Sequence, residues 1–193
     1  MARILIAISS NFGANLVLAR LLSPVLEEFG ASVRIRRVEI AAPSAELSEL
    51  EYASAIDLEW ADGFVFSSPS HTGLMSSAMK AFIDANHEAA VNGKYLNKTF
   101  AGMATSGFAH AGQERVVDDL NAVAAAWGCL VVTPSTASTE LNGLNGNPFG
   151  LSFVLQHGKI ADVDVVTQVL KIHFKRFVSV TDALTSLREK SDV

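Results

Sequence analysis

Arg-Ile-Leu-Ile-Ala-Ile-Ser-Ser-Asn-Phe-Gly-Ala-Asn-Leu-Val-Leu-Ala-Arg, residues 3–20, passes from an apolar run through a polar break into a helical pattern. Ile4, Leu5, Ile6, Ala7 and Ile8 predict a buried strand, and the break at Ser9-Ser10-Asn11-Phe12-Gly13 predicts a loop seated on a helix N-terminus. Unpaired N–H groups and the positive end of the helix dipole favour an anion there. Ser10, Asn11 and Asn15 add short donors around Gly13, where backbone can approach closely. The loop has no Gly-Lys-Ser/Thr ending, which argues against a nucleoside triphosphate. It has one glycine where a dinucleotide fingerprint needs three. A hydroxyl-rich, lysine-free loop suits a single phosphate monoester, although Ser, Asn and Gly also favour turns and caps for purely local reasons.

Outward from this stretch, strand and helix patterns alternate. A helix over 14–29 carries Leu18, Leu22, Val25, Leu26 and Phe29 on one stripe, contains Pro24, which should kink or restrict it, and stops at Gly30. Residues 32–38 alternate Val33, Ile35 and Val38 with arginines, as an edge strand does. Pro43 and Ser44 break the chain, and a weaker helical stretch runs through Leu47, Leu50, Ala53 and Ile56 to Trp60. Phe64-Val65-Phe66 is a short strand stopping at Ser67-Ser68-Pro69, and a helix from Gly73 carries Leu74, Met75, Ala78, Met79, Phe82 and Ile83. Residues 100–105 read as a strand, a helix follows with Val116, Val117, Leu120, Val123 and Trp127 stopped by Gly128, and 129–132 is the fifth strand. Residues 133–158, rich in Ser, Thr, Asn and Gly, read as a long functional loop. Its apolar Leu141, Leu144, Phe149, Leu151 and Phe153 are expected at subunit contacts. The last helix carries Val166, Leu170, His173, Phe177, Val180, Leu184 and Leu187, capped by Asp162 or Asp164, with His173 a core residue.

The expectation is a single α/β domain of 193 residues, with a five-stranded parallel sheet covered by helices on both faces. A net charge of −5 gives no footprint for nucleic acid or an anionic membrane, and Arg34, Arg36 and Arg37 form too small a cluster to change that. The partner is therefore expected to be a small molecule. The single cysteine, Cys129, opens an apolar run and reads as buried. The N-terminal apolar stretch is too short to span a membrane, so the cytoplasm is the expected location.

Ligands of such sheets bind beyond the carboxyl ends of the strands, where strand order reverses. Loops 9–15, 67–75 and 105–113 each follow an apolar strand, are dense in small polar residues, Gly or His, and should converge there. Their neutral hydrogen-bonding chemistry suits a flat, polar-edged ring attached to a phosphate, and no metal-ligand set is expected among them.

The order and wording of these loops resemble the flavodoxin superfamily, and within it the tryptophan-repressor-binding-protein type of NAD(P)H:quinone oxidoreductase. The matching pieces are Ser10-Asn11-Phe12-Gly13-Ala14-Asn15, Ala61-Asp62-Gly63, Pro69-Ser70-His71-Thr72-Gly73-Leu74-Met75, Thr105-Ser106, His110-Ala111-Gly112-Gln113-Glu114 and Asn145-Gly146-Asn147-Pro148-Phe149-Gly150. The resemblance implies a flavodoxin-like strand order of 2-1-3-4-5, FMN as cofactor, NADH or NADPH as donor, a quinone-like acceptor, and a dimer or tetramer. By position it implies that Ser10, Asn11, Phe12, Gly13, Ala14 and Asn15 hold the phosphate. Pro69, Ser70, His71, Thr72, Gly73 and Leu74 would line the isoalloxazine, Thr105, Ser106 and Gly107 would complete the ring site, and His110 would stand near the ring as the catalytic candidate. Family members usually carry arginine and an aromatic at the places of His71 and Thr72. The competing class is a flavodoxin-like electron carrier, but residues 67–75 lack the Trp, Tyr or Phe with which such carriers shield the flavin. A flavin reductase is a third reading, and a family member that binds no flavin is a fourth. With no second glycine-rich turn for a dinucleotide, donor and acceptor are expected to share one opening and react in ping-pong order.

Overall fold

The computed structural model describes residues 1–39, 41 and 44–189; the break expected at Pro43 lies outside them. In chain order the elements are β1 (Arg3–Ile8), α1 (Ala14–Glu28), β2 (Ser32–Arg37), α2 (Ala45–Ser48), α3 (Ala55–Trp60), β3 (Gly63–His71), β4 (Leu74–Met75) and α4 (Ser77–Ala85). They continue as α5 (His87–Val91), β5 (Thr99–Ser106), α6 (Gln113–Ala126), β6 (Leu130–Val131), α7 (Thr139–Asn145), β7 (Leu151–Val154), α8 (Val163–Ala183) and α9 (Thr185–Arg188).

Apolar side chains on both faces of β1 dictate a strand between two helical layers. Ile4, Ile6 and Ile8 face a core shared with α1 and α8 through Leu18, Leu22, Leu170, Phe174 and Phe177. Leu5 and Ala7 point the other way, into a second core with Phe64, Phe66, Met79, Phe82, Phe100 and Leu120 from β3, α4, β5 and α6. Strand period two thus assigns alternate residues to the two layers. Aromatic rings fill the second core edge to face; Phe66 and Phe100 lie 5.1 Å apart between centroids.

Among the described residues the sheet has seven strands rather than the expected five. Its order is β2-β1-β3-β5-β6, with β7 also on β5 and β4 on β3, and every pairing is parallel except β3 with β4. The last place in the row is shared. β6 pairs only with Thr99 and Phe100, and β7 returns beside Met103–Ser106. The segment 133–158 is therefore not a plain loop: α7 and β7 interrupt and then complete the edge strand. Leu141, Leu151 and Phe153 are buried in the core, while Leu144 and Phe149 stay exposed, so only part of the apolar set expected at subunit contacts is on the surface.

Other boundaries shift for local reasons. The stretch 45–60 forms two short helices, α2 and α3, each with its own serine cap, Ser44 accepting from the Leu47 N–H and Ser54 from that of Asp57. β3 runs on through Pro69 to His71, past the expected stop. Leu74 and Met75 pair antiparallel with His71 and Ser70 instead of opening a helix. α1 continues through Pro24, and Asp162 rather than Asp164 caps α8. Among the described residues no helix is long and apolar enough to cross a membrane.

Candidate functional site

The parallel register delivers the ends of β1, β3 and β5 to one edge of the sheet, and a chain of buried hydroxyls ties their loops together. Asn15 donates to the Ser9 carbonyl at 2.8 Å and accepts from the Ser67 hydroxyl at 2.9 Å, joining the first loop to β3. Ser76, the cap of α4, donates to Ser9 Oγ at 2.6 Å, and its own N–H donates to Ser68 Oγ at 3.0 Å. The second and third loops are locked by Ser70, which donates to the Ala111 carbonyl at 2.5 Å, and by a backbone contact of Gly73 with Gly112. Gln113 closes the third loop, donating to the Ala109 carbonyl at 2.6 Å and accepting from the Ala111 N–H at 3.1 Å. The three loops expected from sequence thus converge.

α1 begins at Gly13 in the left-handed region, φ +86°, with no side-chain cap and no acidic residue in its first turn. A Cβ at Gly13 would meet nothing within 4 Å. A helix terminus whose capping position is a glycine and which opens on free space is a fitting seat for an anion such as the FMN phosphate, Ser10 Oγ taking only the Leu16 N–H of its first turn. Asn11 and Phe12 are exposed and Gly13 and Ala14 half-buried at this end, whereas Asn15 is buried. Ser10 departs from expectation. It is 2% exposed, its N–H donates to Glu39 Oε1 at 2.8 Å, and its Oγ accepts from the Leu16 N–H at 3.3 Å, so both groups are engaged inside the protein.

The hairpin from Pro69 to Leu74 turns at Thr72 and Gly73, both at positive φ (52° and 85°), the requirement of a two-residue type I′ turn. A β-branched residue rarely adopts this conformation, and such strain collects at functional sites. The Thr72 hydroxyl donates to the His71 carbonyl at 2.7 Å. Pro69, Ser70, His71 and Gly73 are half-buried, and Thr72 and Leu74 are exposed. In the third loop Thr105 and Ser106 are buried within β5, Ser106 donating to the Phe108 carbonyl at 2.7 Å, and Gly107 and His110 are exposed beyond it. A pocket of about 660 Å³ borders the hairpin, with His71, Leu74, Met75, Ala122 and Val123 in its wall.

Sequence reasoning missed Glu39, Ser76 and Phe108. Phe12 and Phe108 are 89% and 77% exposed at the tips of two of the loops, so aromatic rings do flank this end, though not from residues 67–75. Ser76 was legible as a cap before an apolar stripe; Glu39 had no local signal. Burial pushes His173 down to about 4, Cys129 up to about 12 and Lys98 down to about 8, the last donating to the Leu58, Glu59 and Ala61 carbonyls at the end of α3. Among the described residues no group of three His, Cys, Asp or Glu side chains could hold a metal ion.

Comparison with known proteins bears on the family and the fold. A family model described as NADPH-dependent FMN reductase matches residues 4–142. An NAD(P)H dehydrogenase (quinone) of Deinococcus radiodurans is 30% identical over 163 residues, 78% of this chain and 82% of its own length. One from Archaeoglobus fulgidus is 29% identical over 68% of this chain and 76% of its own. Among solved structures, a flavodoxin, WrbA-like protein from Agrobacterium tumefaciens superposes with a TM-score of 0.69 at 17% identity, covering 95% of this chain and 99% of that one. Oxidised Flavodoxin 1 from Bacillus cereus gives 0.63 at 18% identity, covering 92% and 97%. At such identities these two show the fold, which is flavodoxin-like.

Proposed function

The chain belongs to the NADPH-dependent FMN reductase family, and from that premise we propose that its three loops hold FMN for hydride transfer from NAD(P)H to a small quinone-like acceptor. The protein is an FMN-dependent NAD(P)H oxidoreductase. The observation that carries the assignment of the site is the convergence of loops 9–15, 67–75 and 105–113 at the sheet edge where α1 begins at Gly13, fastened by Asn15, Ser70, Ser76 and the Gly73–Gly112 contact.

In this reading the N–H groups of Gly13, Ala14 and Asn15, with the Asn11 side chain, hold the phosphate, and Phe12 covers it from solvent. Ser10 acts indirectly, by bracing the first turn of α1 through the Leu16 N–H. The hairpin Pro69, Ser70, His71, Thr72, Gly73 and Leu74 lines one edge of the ring, and Thr105, Ser106 and Gly107 meet it through backbone. His110 stands at the rim, where it orients donor or acceptor. The bound flavin supplies the hydride chemistry; the protein supplies position, backbone N–H groups aimed at developing negative charge, and exclusion of water. The pocket beside the hairpin, with Leu74, Met75, Ala122 and Val123 in its wall and Lys80 and Asp119 among them, supports a flat acceptor with a polar edge. We further propose a single-domain, cytoplasmic protein that assembles as a dimer or tetramer, with exposed Leu144 and Phe149 available at the contact.

One phosphate loop and one ring site leave donor and acceptor to use the same opening in turn. Initial rates at several fixed acceptor concentrations should give parallel double-reciprocal lines, with excess acceptor inhibiting competitively against NAD(P)H. Intersecting lines would mean that both substrates bind together.

A further inference from the structure

Beneath the phosphate end of the site lies a carboxylate that the flavin reading does not use. Glu39 is 7% exposed. The Val38 N–H bonds the Ile8 carbonyl at 3.0 Å, extending the β1–β2 pairing by one step and delivering Glu39 alongside Ser9 and Ser10. Its Oε1 accepts from the Ser9 hydroxyl at 2.7 Å and from the Ser10 N–H at 2.8 Å. The Ser9 hydroxyl is in turn the acceptor for Ser76, whose Oγ takes the Met79 N–H at 3.1 Å. Glu39 Oε2 is buried and has no hydrogen-bond partner among the described residues.

A neutral acceptor such as an amide oxygen could take both hydrogen bonds, though more weakly than a carboxylate. A carboxylate with one oxygen buried and unpartnered is the costlier choice, and its charge reaches where a neutral group's would not. We propose that Glu39 is a positioning and specificity-determining residue for the phosphate end of the flavin site. It holds Ser9 and Ser10 in the turn, and its buried negative charge opposes the phosphate that the α1 terminus attracts. The protein then distinguishes FMN from unphosphorylated flavin less sharply than the loop alone would. This rests on the flavin reading above.

The test is titration of flavin fluorescence with FMN and with riboflavin, on the wild-type protein and Glu39→Gln, which keeps an acceptor for Ser9 and Ser10 and removes the charge. The variant should bind FMN at least about tenfold more tightly and riboflavin within about threefold of wild type. Unchanged or weaker FMN binding, or an equal shift for both flavins, as a purely structural role would give, overturns the proposal. Should Glu39→Gln fail to fold, the same two titrations are made on Glu39→Asn, a shorter neutral acceptor for Ser9 and Ser10. A gain for FMN that riboflavin does not share supports the proposal, and an equal change for both flavins or a loss confined to FMN overturns it. If wild type binds neither FMN nor riboflavin, the flavin reading itself fails and takes this inference with it.

Discussion

Gly13 and Gly112 start the two helices that point at the site, both at positive φ, yet their surroundings set different costs for a side chain. A Cβ at Gly13 meets open space, so Gly13→Ala should cost only the left-handed backbone penalty, about 1 kcal/mol. At Gly112 the same atom would come to 2.6 Å from Gly73 Cα, a backbone atom that cannot swing away. Gly112→Ala should therefore cost about 3 kcal/mol or more and part the hairpin from the third loop. Urea denaturation of both variants measures the difference, and equal losses would contradict the contact. Gly13 and Gly112 were legible as turn residues beside helical patterns. The Gly73–Gly112 contact and the pairing of Glu39 with Ser9 and Ser10 were not, because each joins segments that only the sheet register brings together.

The elements were most legible where periodicity was long. β1, α1, β5 and α6 carry continuous apolar stripes and lie where those stripes predict. The segment 133–158 misled because its turn-forming Ser, Asn and Gly outnumber the four residues of β7, whose burial depends on a neighbour far away in sequence, β5. α8 shows the opposite case, in which a stripe correctly placed His173 in the core, 3% exposed. Burial there holds the imidazole neutral by lowering its pKa from 6.5 to about 4, with Arg176 adding to the effect. Above pH 6.5 both folded and unfolded chains carry the neutral ring. As pH falls below 6.5, the unfolded chain takes a proton that the folded one refuses, so stability is lost between about pH 6.5 and 4. The loss amounts to about 3 kcal/mol at most from this residue. Thermal unfolding from pH 7 to pH 4 should show this sensitivity, reduced in His173→Gln relative to its own value at pH 7. An identical pH dependence in variant and wild type would remove His173 as its cause.

At the scale of the whole molecule, the sheet does one thing for function: it carries three loop-bearing strand ends to a common edge and backs them with two apolar layers. The alternation of strands and helices made this edge legible before any coordinate, since parallel order forces the loops after β1, β3 and β5 to the same side. The divided last strand was not legible, because the two halves are separated by α7 and neither alone is long enough to declare itself. The most direct measurement of the central claim, that the converging loops form an FMN site, is titration of the purified protein with FMN, followed by quenching of flavin fluorescence and by thermal shift. Saturable quenching with a rise in Tm is the predicted result. Unquenched fluorescence and an unmoved Tm at all FMN concentrations would contradict it.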